Sequence, residues 1–121
     1  MTHLARFRAS LERTDILDHL RDGLIGRDMP FDTPYGTQRM LYADYVASGR
    51  ALRQVEDFVA QHVLPWYANS HTEASACGEA MTRMREEART TIARLVNAGP
   101  DGHVIFAGSG ATAGLNRIAR L

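Results

Sequence analysis

The chain has 121 residues, the length of one ordinary domain, and its 45% hydrophobic and 23% charged residues are typical of a globular rather than a disordered protein. Fourteen basic residues balance fourteen acidic ones and are scattered among them, which argues against a nucleic-acid surface, and the single cysteine, Cys77, excludes an internal disulfide and a paired-cysteine metal site. Because the N-terminus lacks the apolar core of a signal peptide and no stretch reaches the roughly 20 apolar residues of a membrane span, we expect a cytoplasmic protein without a membrane partner.

The first segment, residues 1–29, is predicted to be helical because its apolar residues recur at helical spacing. The spacing slips near Thr14, which predicts either two helices or one kinked helix, with Thr14 as an N-cap and Gly26 as the stop. The stretch "DMPFDTPYGT" that follows is predicted to be a loop, because prolines stand before and inside it.

Two strands and three helices are predicted after this loop. "QRMLYADY" (38–45) reads as a short strand, and "VASGR" (46–50) as a turn into a helix that ends at Pro65. A second helix is expected over about 79–97, and its "RMREEAR" cluster (83–89) is expected to be a solvated face. "HVIFA" (103–107) reads as an apolar strand, and the last helix begins in "GATAGLNRIARL".

An apolar strand that runs into a helix is typical of the first half of a βαβ unit. Such a strand belongs in a parallel sheet, whose neighbouring strands arrive through later crossovers. Those strands are not among the residues after 107, so we expect the chain to be the front portion of a larger α/β protein.

The glycine-rich turn "GSGATA" (108–113) between that strand and the last helix predicts an anion site. The first N–H groups of a helix have no partner within the helix, the helix dipole favours negative charge there, and glycine lets the backbone approach a ligand. Three interpretations remain open: a dinucleotide fingerprint of the G-x-G-x-x-A type, a plain β–α turn, or a single phosphate held by the amides of Gly110, Ala111 and Thr112 and by the Thr112 hydroxyl.

Four stretches, taken in order, resemble the N-terminal portion of class V aminotransferases and cysteine desulfurases. They are "YADYVASGR", "LPWYANSHTEAS", the helix with "REEAR" and "VIFAGSGATAGLN". The resemblance implies an α/β protein: the helix-rich beginning of a fold type I pyridoxal-phosphate-dependent domain, with the start of its parallel or mixed sheet. Residues 1–29 would then be an N-terminal helical segment, and residues 30–121 an incomplete class V domain. It also implies pyridoxal 5'-phosphate as cofactor, an amino acid as substrate and a homodimer.

By the same resemblance, Gly110, Ala111 and Thr112 would bind the cofactor phosphate. Ala113 and Gly114 stand where the family's turn usually has an acidic residue, so this turn lacks the side chain that would make that residue's contacts.

The resemblance also places Asn69 and His71 in a loop near the substrate. The alternative for these two residues is helix capping, which we favour for Ser75. Ala47 and Ser48 would line the substrate entrance, and a tight strand-to-helix turn is the alternative for them.

The sequence contains no lysine, because all fourteen basic residues are arginines. Pyridoxal-phosphate enzymes need a lysine amine to hold the cofactor's aldehyde. We therefore expect residues 1–121 to supply one wall of the cofactor pocket, with no activity of their own and no catalytic residue. Transamination, cysteine desulfuration and a lyase reaction all remain open for the complete enzyme. A dinucleotide-binding oxidoreductase fragment and a small helical interaction module are the alternative functions.

Overall fold

The computed structural model describes residues 1–121, which divide into two compact units, Met1–Ala68 and Asn69–Leu121. We call these the N-terminal unit and the C-terminal unit. None of the helices is both long enough and apolar enough to cross a membrane. The elements in chain order are α1 (His3–Leu11), α2 (Ile16–Asp22), β1 (Pro30–Thr33), β2 (Gly36–Arg39), α3 (Arg53–Phe58), a π-helical turn (Val59–Val63), a 3₁₀ turn (Leu64–Trp66), α4 (Ala76–Leu95) and α5 (Gly110–Ile118).

The N-terminal segment forms two helices, which decides between the two alternatives left open by its spacing. Thr2 caps α1, because its hydroxyl oxygen accepts a hydrogen bond from the Ala5 amide at 3.1 Å. The residue at the N-cap of α2 is Asp15, so the prediction of Thr14 is wrong. The carboxylate of Asp15 makes no capping hydrogen bond, because the Arg13 guanidinium holds it instead.

Helix α3 and the π-helical turn after it pack against α1 through aromatic rings. The Phe7 and Phe58 rings lie with their centroids 4.8 Å apart. Next to them, the His3 and His62 rings lie 5.1 Å apart. These half-buried rings hold the start of the chain against the middle of the N-terminal unit.

Helix α2 contacts α3 through hydrogen bonds. The Arg53 amide donates to the Gly23 carbonyl at 2.8 Å, and Gln54 Nε2 donates to the His19 carbonyl at 2.6 Å. Gly23 is buried at this crossing, where a Cβ would collide with the Gln54 side chain. The helix therefore ends at Asp22, ahead of the predicted stop at Gly26.

The loop predicted for "DMPFDTPYGT" is wrong, because β1 and β2 form an antiparallel hairpin here. Pro30 pairs with Arg39 and Thr33 with Gly36, and Gly36 has a φ of +93°, a conformation that glycine adopts readily. Pro30 is tolerated because it is the first residue of its strand. The strand predicted over 38–45 is correct only up to Arg39, since its partner strand begins at Pro30 and the ladder ends at this pair.

The strand predicted over 103–107 is also wrong. The hairpin is the only sheet, and it is antiparallel, so the expected start of a parallel sheet is not formed. A parallel strand needs neighbours in the ladder, and the C-terminal unit contains no other strand to provide them. Ile105 is 55% exposed as a result. Helices with a small sheet still agree with the helix-rich α/β class.

The C-terminal unit is built around α4. Ser75 caps this helix, as predicted, because its hydroxyl oxygen accepts from the Gly78 amide at 3.1 Å. Gly78 is buried against the Thr72 carbonyl, with which a Cβ would collide. Met81, one turn further on, is 8% exposed and is the one large hydrophobic side chain that the protein buries.

Candidate functional site

The glycine turn before α5 has a backbone that only glycine adopts readily. Gly108 has a φ of +100° and Gly110 a φ of +72°, both in the left-handed region. Ser109 lies between them in an extended conformation, and its side chain makes no capping hydrogen bond. The first amides of α5 therefore have no side-chain acceptor from the N-cap and remain available to a ligand.

The turn is also open. Apart from Gly110 itself, its chain neighbours and the backbone of its own helix, no heavy atom lies within 4 Å of where a Cβ on Gly110 would be. For a Cβ on Gly108, the nearest atom beyond its chain neighbours is the Ala113 Cβ at 3.6 Å. Ala111 and Thr112 are exposed in the first turn of the helix. Residues 110–112 are thus exposed to solvent, and the helix dipole favours an anion at this end of α5.

The loop that contains Asn69 and His71 also contacts the middle of α4, through Arg85. Arg85 Nη1 lies 3.3 Å from His71 Nε2 and 3.4 Å from the Ser70 hydroxyl oxygen. Because the cap of α4 is Ser75, the capping alternative is wrong for His71. Asn69 and His71 are both exposed.

The same arginine contacts the segment that leads into the glycine turn. Its guanidinium carbon lies 5.8 Å from the centre of the Phe106 ring, and that of Arg89 lies 5.8 Å from the same ring. Arg85 therefore touches both the His71 loop and the residue two positions before Gly108. One side chain of α4 links the two predicted site regions of this unit.

The prediction that 83–89 is a solvated face is correct for Arg83, which is exposed and pairs with Glu79. It is wrong for Arg85 and Arg89, which are half-buried against Phe106. A signal for this was present in the sequence. Both arginines follow Met81 at intervals of four residues, and this places them on the apolar stripe of the helix.

Ala47 and Ser48 lie in the N-terminal unit, in a turn that Tyr42 stabilises by hydrogen bonding. The Tyr42 hydroxyl donates to the Ser48 carbonyl at 2.6 Å, and the Ser48 amide donates to the Asp44 carbonyl at 3.2 Å. The Arg50 guanidinium lies over the Tyr42 ring at 5.0 Å. These contacts account for a tight turn with exposed small residues at its surface.

The residues present fit one end of pyridoxal 5'-phosphate. Residues 108–112 suit its phosphate, because the helix start has no side-chain cap, two glycines are left-handed and the turn is open. Its aldehyde has no matching amine, because no side chain of residues 1–121 is a lysine. The turn therefore has donors and space that suit an anion, whereas residues 1–121 offer no lysine to the carbonyl carbon of pyridoxal 5'-phosphate.

Residues 41–121 match the family model described as Aminotransferase class-V. No curated protein and no solved structure matches the chain. The matched range contains the Tyr42 turn, the His71 loop and the glycine turn, and it begins after the hairpin.

Proposed function

Since the chain belongs to the class V aminotransferase family, we propose that its glycine turn binds the phosphate of pyridoxal 5'-phosphate in an enzyme that acts on an amino acid. The proposal rests on the geometry at the start of α5, where Gly108 and Gly110 are left-handed and no side chain caps the helix. Transamination and cysteine desulfuration both fit the family, and the lyase alternative stays open beside them.

The physical case for the phosphate rests on the amides of 110–112. A phosphate dianion accepts hydrogen bonds from free N–H groups at a helix start, and the helix dipole contributes about 0.3–1 kcal/mol at an exposed site. The Thr112 hydroxyl, in the first turn, supplies one further donor. Charge-assisted hydrogen bonds of this kind are roughly twice as strong as neutral ones.

When bound, pyridoxal 5'-phosphate supplies an electron sink for the bonds at the α-carbon of the substrate. In this proposal, Gly110, Ala111 and Thr112 anchor it, and the exposed His71 offers a ring nitrogen on the substrate side. The amine for the aldehyde comes from outside residues 1–121, so this polypeptide alone has no activity. Asn69 borders the substrate in the same loop as His71, and the complete enzyme is a cytoplasmic homodimer.

The test compares pyridoxal 5'-phosphate with pyridoxal, which lacks the phosphate, in equilibrium binding to the full chain. We expect the phosphate ester to bind more tightly. Gly110→Ala puts a side chain on a residue with a φ of +72°, and the free turn relieves the strain of about 1–2 kcal/mol by leaving that conformation. Because the turn has to return to it to present its amides, we expect affinity to fall roughly 5- to 30-fold.

The matched control is Gly114→Ala, in the same helix, where a Cβ also meets open space. Its affinity should equal that of the wild type. Equal binding of pyridoxal and its phosphate ester, or a Gly110→Ala variant with unchanged affinity, would contradict the proposal. Tighter binding of a nicotinamide dinucleotide than of the phosphate ester would favour the G-x-G-x-x-A alternative instead.

A further inference from the structure

The contact between Arg85 and His71 constrains where the imidazole carries its hydrogen. Arg85 Nη1 approaches Nε2 of the ring at 3.3 Å. A guanidinium has only N–H donors and keeps its charge at all ordinary pH values. Nε2 must therefore accept this hydrogen bond through its lone pair. In the neutral ring the hydrogen then lies on Nδ1.

Contacts on both sides of the Arg85 guanidinium group hold it next to His71. The Ser70 hydroxyl oxygen lies 3.4 Å from the same Nη1, and the Phe106 ring centre lies 5.8 Å from the guanidinium carbon. A cation over an aromatic face is held by the quadrupole of the ring. The half-buried side chain is thus restrained between the loop and the segment before the glycine turn.

We propose that Arg85 is a positioning residue that keeps the hydrogen of His71 on Nδ1, so that His71 offers a donor, not an acceptor, to the substrate. The substrate-side consequence rests on the proposed function, whereas the tautomer itself does not. His71 is exposed, so its remaining ring nitrogen can be reached by a ligand. The chemical group it would recognise is an acceptor, such as the carboxylate of an amino acid.

The tautomer is measured directly by long-range ¹H–¹⁵N correlation spectra of the histidine rings, recorded on the full ¹⁵N-labelled chain without cofactor. At alkaline pH, where free imidazole is neutral, we expect the His71 ring to show the Nδ1–H pattern in the wild type. Arg85→Met keeps an unbranched stem over Phe106 but removes the donors. We expect the majority form of His71 to change to Nε2–H, the form that free imidazole side chains favour.

Two further variants separate this role from a structural one. Arg85→Lys retains a donor and should keep more of the Nδ1–H form than Arg85→Met does. Arg83→Met alters the exposed arginine of the same helix and should leave the His71 spectrum unchanged. Circular dichroism checks that each variant keeps its helices. If Arg85→Met unfolds, the majority tautomer of His71 in the wild-type spectrum tests the proposal by itself.

An Nε2–H majority in the wild type would overturn the proposal, as would identical His71 spectra in the wild type and a folded Arg85→Met variant. Neither result depends on whether pyridoxal 5'-phosphate binds. Failure of the proposed function would appear instead in the comparison of the phosphate ester with pyridoxal. The two proposals can therefore fail separately.

Discussion

At the scale of single residues, the ion pair between α1 and α2 is the best-defined electrostatic feature. Arg13 Nε donates to Asp15 Oδ1 at 2.8 Å, and Arg13 Nη2 donates to Asp15 Oδ2 at 2.7 Å. This two-point geometry matches a planar guanidinium to a carboxylate. The hydrogen bonds from Arg13 are the largest cause that lowers the pKa of Asp15 from its ordinary 3.8 to about 2.

A carboxyl whose pKa is lowered in the folded chain stabilises the fold above its unfolded pKa and loses that contribution as pH falls through its folded pKa. The contribution of Asp15 is therefore complete above about pH 4 and disappears towards its pKa of about 2. Because the pair is exposed, its consequence is a titration shift rather than a large gain in stability.

We expect an NMR titration of the Asp15 carboxyl carbon to have its midpoint near 2 in the wild type. In Arg13→Gln the midpoint should rise towards 3.8, because the variant removes both hydrogen bonds and the charge. Arg21→Gln, which breaks a different exposed pair, serves as the control and should leave Asp15 unchanged. A wild-type midpoint at the ordinary value would show that the pair does not form in solution.

Element by element, the features that depend on local chemistry were the predictable ones. The Ser75 cap follows from a hydroxyl three residues before the amide that it accepts from. The helical spacing of 1–29 likewise predicted helices, although their end residues differ. The hairpin at 30–39 was missed because proline was taken to exclude a ladder, whereas Pro30 stands at a strand start where its missing N–H is tolerated.

Features that depend on distant partners were not predictable in the same way. The apolar run 103–107 has the composition of a buried strand, yet a strand forms only where another strand pairs with it. Arg85 was assigned to a solvated face because its charge was given more weight than its spacing of four residues from Met81, and the sequence does not give the position of Phe106. The glycine turn was recognised as a turn, and its role towards a phosphate stays a prediction.

The packing of α1 on α3 gives an element-scale prediction. Phe7→Ala removes a half-buried ring that lies 4.8 Å from the Phe58 ring. We expect the variant to lose about 1–2 kcal/mol of protection against amide hydrogen exchange in α1, less than the cost for a fully buried ring. Leu17→Ala in α2, a residue 66% exposed, is the control and should change protection little. Equal effects of the two substitutions would show that the Phe7 contact does not hold α1.

On the scale of the whole molecule, the most unusual property is how little apolar surface is buried. Met81 is the single buried large hydrophobic side chain, while Leu115 and Ile118 on α5 are 66% and 69% exposed. Burial of apolar surface is the main favourable term in folding. The free energy of unfolding of this chain should therefore fall below the roughly 5–15 kcal/mol of ordinary folded domains.

We expect urea unfolding of the 121-residue chain to be broad, with different midpoints for Trp66 fluorescence and for circular dichroism. We also expect the chain to bind the dye ANS, which reports exposed apolar surface. A single steep transition common to both probes, without dye binding, would favour the alternative of a self-sufficient helical interaction module.

The proposed function depends most on a phosphate bound at the start of α5, and backbone amide shifts test this directly. On addition of pyridoxal 5'-phosphate, we expect the largest ¹H–¹⁵N shifts at Gly110, Ala111 and Thr112, and we expect pyridoxal to leave these amide signals unchanged. Shifts centred elsewhere in the chain, or equal shifts with pyridoxal, would contradict it.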